Sequence, residues 1–292
     1  MKWFLWLKRI GLSLLLLLVV SGISFFAVLW VWNQNLTPAV QGHTGASVTD
    51  AWDNFLQGVV ENGRVNYQVA WQRRVELETI VAAYATSGPN LTPELFSEPA
   101  SRFAWYLNAY NALVLYAVLR TDVQQSIHEV TVPVVPLPGY GFFYSLYFDF
   151  DGDQINLYQL EHEIIRAQFA DARLHAALNC ASMSCPPLQP FAFRAQELEH
   201  QLSQVAASMA SESPWVRVDS SARTVYLSPI YQWYRGDFEA HATAMGAGST
   251  VLDWIRLHAR PELQALLAQS QTESWSIVYV PYDWGLNSAP RP

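Results

Sequence analysis

The chain has 292 residues, 51% of them apolar, and a net charge of −8. It is long enough to bury a core without cross-links, and it lacks the sustained positive field that nucleic acid requires. Aromatic residues make up 14%, with 12 tryptophans, which points to a dense aromatic core or an aromatic-lined cleft.

Residues 10–32 carry no charge, and as a helix they would be about 34 Å long, enough to cross a bilayer core of ~30 Å. Lys2, Lys8 and Arg9 precede them, and no Lys or Arg follows until Arg64. The charge bias predicts a single-pass membrane protein with a cytoplasmic N-terminus and an extracytoplasmic main domain, periplasmic in a Gram-negative envelope. Trp3, Trp6, Trp30 and Trp32 fall where interfacial aromatic belts lie. Cleavage near Gly22 to Ser24 would leave residues 25–32 as an apolar stub, so the expected segment is a signal anchor rather than a cleaved peptide. The expected organisation is anchor at 1–32, flexible polar linker at 33–49 and one domain at 50–292.

Within that domain, Asp50 is positioned to cap a short helix that buries Trp52, Phe55, Leu56, Val59 and Val60 and ends at Asn62-Gly63. A second helix is predicted over 68–84. Residues 101–119 read as a helix that is apolar almost all round, hence central and buried. Its Asn108 and Asn111 share a face. They either tie neighbouring loops to the helix or line a cleft and orient a ligand. Asp151-Gly152 marks a hairpin turn. The nearby acidic run lacks the glutamate of a calcium loop, since Leu160 stands at its last position.

Asn156 and Gln159 form a capping box. In the helix that follows, Glu161 lies within the apolar stripe of Leu157, Leu160 and Ile164, so this carboxylate is carried inward and needs a partner. Either it lines a cleft with His162 or it pairs with Arg166 or Arg173. Residues 175–188, HAALNCASMSCPPL, hold both cysteines of the chain. Cys180 is a candidate nucleophile with His175 or His162 as base and Glu161 or an asparagine as orienter. The same residues allow a disulfide between Cys180 and Cys185. They also allow a metal site of Cys180, Cys185, His175 and His162, although the spacing of the cysteines is looser than in zinc knuckles. Downstream, residues 193–210 predict an amphipathic helix, and 215–218 with 224–227 a hairpin. Residues 250–258 and 262–268 predict two helices, and 276–280 a last strand. The fold class expected is α+β: a mostly helical domain with a central buried helix and short antiparallel strands, preceded by one transmembrane helix.

Five stretches occur in order: FAWYLNAYNAL at 103–113, LYQLEH at 157–162 with Arg166, the 175–188 segment, LSPIYQWY at 227–234 with Asp237-Phe238, and YDWGLN at 282–287. Together they resemble the successive motifs of the domain of unknown function 547 family, here of a bacterial membrane-anchored type. The resemblance runs from about Trp52 to Asn287 and implies no reaction. It marks Asn108, Asn111, Asn179 and Trp284 as binding residues beside the Cys180 segment. Three function classes follow. The first is a membrane-tethered binding or structural module of the cell envelope, with a protein or small-molecule ligand. The second is a thiol-dependent hydrolase or acyl transferase, and the third a Cys/His metal site. No cofactor is expected, and apart from the ligand the partner is the membrane, through the N-terminal helix.

Overall fold

The computed structural model describes residues 33–42, 46–133 and 135–290. Its organising element is the helix Pro99–Arg120, in which residues 103–119 are all buried. Pro99 opens the helix, where a missing N–H costs nothing. On one side packs the helix Ala46–Val59, which places Trp52, Phe55, Leu56 and Val59 in the core at no more than 1% exposure. Each such side chain contributes about 1.5–3 kcal/mol by leaving water. The predicted helix at 68–84 divides at Arg73 into Tyr67–Gln72 and Arg74–Thr86. There the Arg73 guanidinium donates to Glu76 and to the carbonyl of Phe55, tying the break to the first helix.

The hairpin Leu146–Phe150 and Asp153–Asn156 forms as expected. Asp151 and Gly152 both take positive φ, 51° and 91°, as a tight turn that follows the strand twist requires. The buried Asp151 carboxylate accepts the N–H groups of Asn90 and Leu91 at 2.8 and 2.9 Å, so it ties the turn to the loop before the central helix. Gln34–Asn35 adds a parallel strand to this hairpin. The helix Ala46–Val59 also starts inside the polar stretch at 33–49 that was expected to be a tether.

A second sheet joins Val216–Asp219 to Thr224–Leu227 as an antiparallel hairpin and adds Ser276–Tyr279 in parallel. The strands are therefore mixed rather than only antiparallel. Helices Leu198–Ser211, Arg235–Ala244, Val251–His258 and Pro261–Thr272 complete this half. The chain then returns to the first half: Asn287 N–H donates to the carbonyl of Ala181, and Val65 N–H to the carbonyl of Asn287. The architecture is α+β, about half helical with short strands.

One expectation is corrected. Among the described residues no helix is long and apolar enough to cross a membrane, which overturns the fold reading that began with a transmembrane helix and the single-pass localisation built on it. The stretch at 10–32 on which both rested lies outside the described residues. The central helix has the length but not the character of a span: Asn108, Asn111 and five aromatic side chains, Phe103, Trp105, Tyr106, Tyr110 and Tyr116, are fitted to protein partners along it.

Candidate functional site

The segment at 175–188 begins with the short helix Leu174–Ala177 and turns back at Cys180. Its course is set by amides. Asn111 Oδ1 accepts the N–H of Asn179, and Asn111 Nδ2 donates to the carbonyl of Ala177, both at 2.9 Å. Asn179 Nδ2 donates to the carbonyl of Pro186, while its Oδ1 accepts from the Ala181 N–H and from Asn287 Nδ2. Ala181 is thereby held at φ 62°, a left-handed conformation that costs an alanine roughly 1–2 kcal/mol. Asn108 acts in the same way on another loop, exchanging hydrogen bonds with the backbone of Phe193 at 2.8 Å. Asn108, Asn111 and Asn179 are thus backbone ties, and none of them lines the cavity described next.

That cavity has a volume of ≈ 200 Å³ and is lined by Glu161, His162, His175, Cys180, Cys185 and Trp284 together with a wall of tyrosines and Trp233. Five expected site residues, the four catalytic candidates and Trp284, meet there. Glu161 and His162 arrive on a π-helical turn, Gln159–Ile165, entered through the Asn156–Gln159 capping box. Wide turns of this kind recur at functional sites.

Both cysteines are free thiols. Cys180 is partly exposed and Cys185 buried. Cys180 Sγ lies 3.0 Å from Ser182 Oγ and 3.3 Å from Tyr282 Oη, and the Cys180 N–H donates to Cys185 Sγ at 2.9 Å. The hydrogen bond with Cys185, helped by those of Ser182 and Tyr282, outweighs burial and brings the Cys180 thiol down to about 7. Burial, and then the neighbouring sulfur, push Cys185 well up. Cys180 is therefore the thiol that ionises, and Cys185 keeps its proton.

The two histidines are distinguished by what holds them. His162 Nδ1 faces Arg166 Nη1. A guanidinium only donates, so this nitrogen carries the lone pair and has already spent it. His175 Nε2 lies 2.8 Å from Asp237 Oδ2. The carboxylate only accepts, which places the His175 proton on Nε2 and leaves Nδ1 as a free base. Burial lowers the pKa of His175 despite the nearby carboxylates, so the ring is neutral at pH 7. Its plane stacks on Tyr234 at 4.0 Å between centroids. Arg166 Nε donates to the same Asp237 oxygen, Oδ2, at 2.7 Å, and Arg166 Nη2 donates to Oδ1 at 3.0 Å. Burial raises the pKa of Asp237, but hydrogen bonds from His175 and Arg166 prevail and hold it well below the usual carboxylate range.

The alternative partners expected of Glu161 are not used. Arg166 serves Asp237, and Arg173 serves Asp171 and Glu199. Instead the hydroxyls of Tyr110 and Tyr234 donate to the two oxygens of Glu161 at 2.9 and 2.6 Å. Among the described residues no group of three or more His, Cys, Asp and Glu side chains is placed to hold a metal ion, so the Cys/His metal site is not assembled. Sequence reasoning gave no role to Asp237, Ser182, Tyr110, Tyr234 and Tyr282, and it expected Arg166 at Glu161 rather than at Asp237. All six stand inside the five ordered stretches, and that was the available signal.

The Asp237 pair also predicts a pH dependence of stability. The folded pKa of Asp237 lies below its unfolded value, so the stabilisation is complete above about 3.9 and drains away as pH falls toward the folded pKa. The stability gap between the unmodified chain and Asp237→Asn, followed by urea unfolding, should therefore be constant at neutral pH and narrow below about pH 4. A gap that stays constant through acid would contradict the assignment.

Residues 95–208 match the model of a family described as a protein of unknown function, DUF547. The matched stretch contains Asn108, Asn111, Glu161, His162, His175 and Cys180, and it ends before Tyr234, Asp237, Tyr282 and Trp284. The match supports the family resemblance and gives no support to a membrane-anchored type. No curated protein and no solved structure matches the chain.

Proposed function

We propose that this chain is a thiol-dependent acyl-transfer enzyme, a hydrolase or an acyl transferase, with Cys180 as nucleophile, His175 as base and Asp237 as the group that orients it. One observation carries the reading. A partly exposed thiol that ionises near pH 7 shares a cavity with a neutral imidazole whose other nitrogen is fixed on a carboxylate. This is the nucleophile–base–orienter logic of acyl transfer. The binding-module reading came with a disulfide between Cys180 and Cys185. The two sulfurs are free and linked through a backbone N–H, which favours the thiol reading.

In the proposed reaction the Cys180 proton passes to His175 Nδ1 and the sulfur attacks a carbonyl carbon. An S–C bond forms as the carbonyl π electrons move onto oxygen. Collapse of this intermediate expels the leaving group, which takes the proton from Nδ1. Water or an acceptor nucleophile, deprotonated by the same nitrogen, then attacks the thioester carbonyl; the C–S bond breaks, the acyl product leaves and the Cys180 sulfur takes the proton back from Nδ1. Two hydroxyls, with the Cys185 thiol, steady the Cys180 thiolate in the resting site. No hydrogen bond joins Cys180 Sγ to His175 in the resting site, so the proposed transfer requires the two to close up when substrate binds, as catalytic hydrogen bonds often do.

Alkylation by iodoacetamide tests the first element. Thiolate is the reacting form, so the rate at Cys180 should rise with pH through an inflection near 7, against about 8.5 for a free thiol. Brief exposure to p-nitrophenyl acetate should add one acetyl group at Cys180 by mass spectrometry, and none in Cys180→Ser. An inflection at or above that of a free thiol, or no acetyl adduct, would falsify the assignment.

A further inference from the structure

The Glu161 carboxylate lines the cavity with no cationic partner from the chain. Its side chain is 12% exposed, and the closest basic group is His162 Nε2 at 4.0 Å. That ring is no counter-ion, because Arg166 donates to its Nδ1 and burial lowers its pKa. Arg166 and Arg173 are matched to other carboxylates, and no Lys or Arg is among the residues that line the cavity. Two tyrosine hydroxyls satisfy one acceptor position on each oxygen of Glu161, which leaves further lone pairs and an unmatched charge. Buried charges are ordinarily paired, and leaving one alone is costly.

The rest of the wall suits the missing partner. Tyr144 and Tyr158 stack at 4.4 Å between centroids. Trp233 and Trp284 stack at 5.8 Å, and Tyr282 lies within 5 Å of both. Trp233 is 49% exposed, so this aromatic cluster reaches the surface. Aromatic faces attract cations, most strongly where water is excluded. At ≈ 200 Å³ the cavity lies below the ~300–1,000 Å³ of ordinary ligand pockets, which suits a small charged group.

We propose that this cavity recognises a small cationic group, an ammonium or methylated ammonium, held by the Glu161 carboxylate and the surrounding aromatic faces. The substrates of Cys180 are then esters, thioesters or amides that carry such a cation near the carbonyl. The substrate clause rests on the thiol reading; the cation site stands without it.

The full chain is treated at one pH with methanethiosulfonates bearing a 2-aminoethyl, a 2-hydroxyethyl or a 2-sulfonatoethyl group. In each case the Cys180 thiolate attacks the sulfenyl sulfur, an S–S bond forms and methanesulfinate leaves. Rates at Cys180 are divided by those for 2-mercaptoethanol. The normalised rate should rank amino above hydroxy above sulfonato, with the extremes roughly tenfold or more apart, as expected for unit charges in a partly desolvated site. Glu161→Gln should collapse the ranking. Equal normalised rates in the unmodified chain overturn the cation site and leave the thiol reading standing. If no reagent modifies Cys180, the thiol reading falls instead. Tryptophan emission then decides the cation site: a saturable change with tetramethylammonium but not with tert-butanol at matched ionic strength supports it, and no difference overturns it.

Discussion

Asp237→Asn is expected to lower the turnover of p-nitrophenyl acetate by more than about tenfold, because a charge-assisted hydrogen bond that orients His175 and stabilises its imidazolium becomes a neutral one. The substitution keeps the size of the side chain and changes its hydrogen-bond character. Asp237 accepts three donors: His175 Nε2, Arg166 Nε and Arg166 Nη2. His175 Nε2 and Arg166 Nε share Oδ2, and Arg166 Nη2 donates to Oδ1. An asparagine offers one accepting oxygen and one donating amide, and Arg166 cannot lose its proton. The amide costs least at the Oδ1 position, where it opposes Arg166 Nη2 alone. His175 then keeps its tautomer on a neutral acceptor, and what is lost is the negative charge that stabilises the imidazolium. The inflection of Cys180 alkylation should meanwhile stay near 7, since Cys185, Ser182 and Tyr282 set it rather than Asp237. Turnover within tenfold of the unmodified chain would remove His175 and Asp237 from the mechanism. Loss of the alkylation inflection together with turnover would mean that the variant had disturbed the fold.

The second large effect concerns stability. Asn111→Ala removes a donor from the carbonyl of Ala177 and an acceptor from the N–H of Asn179, both buried. Each stranded group costs about 1–3 kcal/mol, and water has no ready access on a helix whose neighbours at 103–119 are all buried. Urea unfolding should show a lower midpoint with an unchanged slope. The substitution Leu137→Ala, at a position 64% exposed, should change stability by no more than about 0.5 kcal/mol, as surface substitutions do. The two effects are linked. Asn111 holds the turn that carries Cys180, so in Asn111→Ala the alkylation inflection should move upward from about 7 toward that of a free thiol. An Asn111→Ala chain as stable as the Leu137→Ala chain would show that the amide is not a tie.

The local elements were legible because their causes are local. Periodic apolar residues marked the central helix, and Asp151-Gly152 marked the hairpin, which needs only two neighbouring residues at positive φ. The reciprocal Asn156–Gln159 capping box is three residues long. Burial of Asn108 and Asn111 also followed from sequence, because an apolar helix has no wet face on which to place them. Where causes were not local, the reading went astray. The parallel pairing of Thr224–Leu227 with Ser276–Tyr279 brings together strands some fifty residues apart. Gln34–Asn35 pairs with a strand more than a hundred residues away, and nothing in its own polar composition announces it.

The sequence by itself determined that a thiol, two imidazoles and an inward-facing carboxylate would gather beside the central helix. Stripe, spacing and burial are properties of short windows of chain. It did not determine their roles, because a role depends on the partner, and the partners are remote. His175 kept a free lone pair on Nδ1 and His162 did not because Asp237, 62 positions on, accepts from one ring, while Arg166 donates to the other. Cys180 became the acidic thiol because the Cys185 side chain folds back beside it and the hydroxyls of Ser182 and, across 102 positions, Tyr282 reach its sulfur. Glu161 kept an unmatched charge because the guanidiniums that spacing offered it were drawn to Asp237, Asp171 and Glu199. Hydrogen bonds and charges act over a few ångströms of space and are indifferent to distance along the chain, so these choices belonged to the tertiary structure alone.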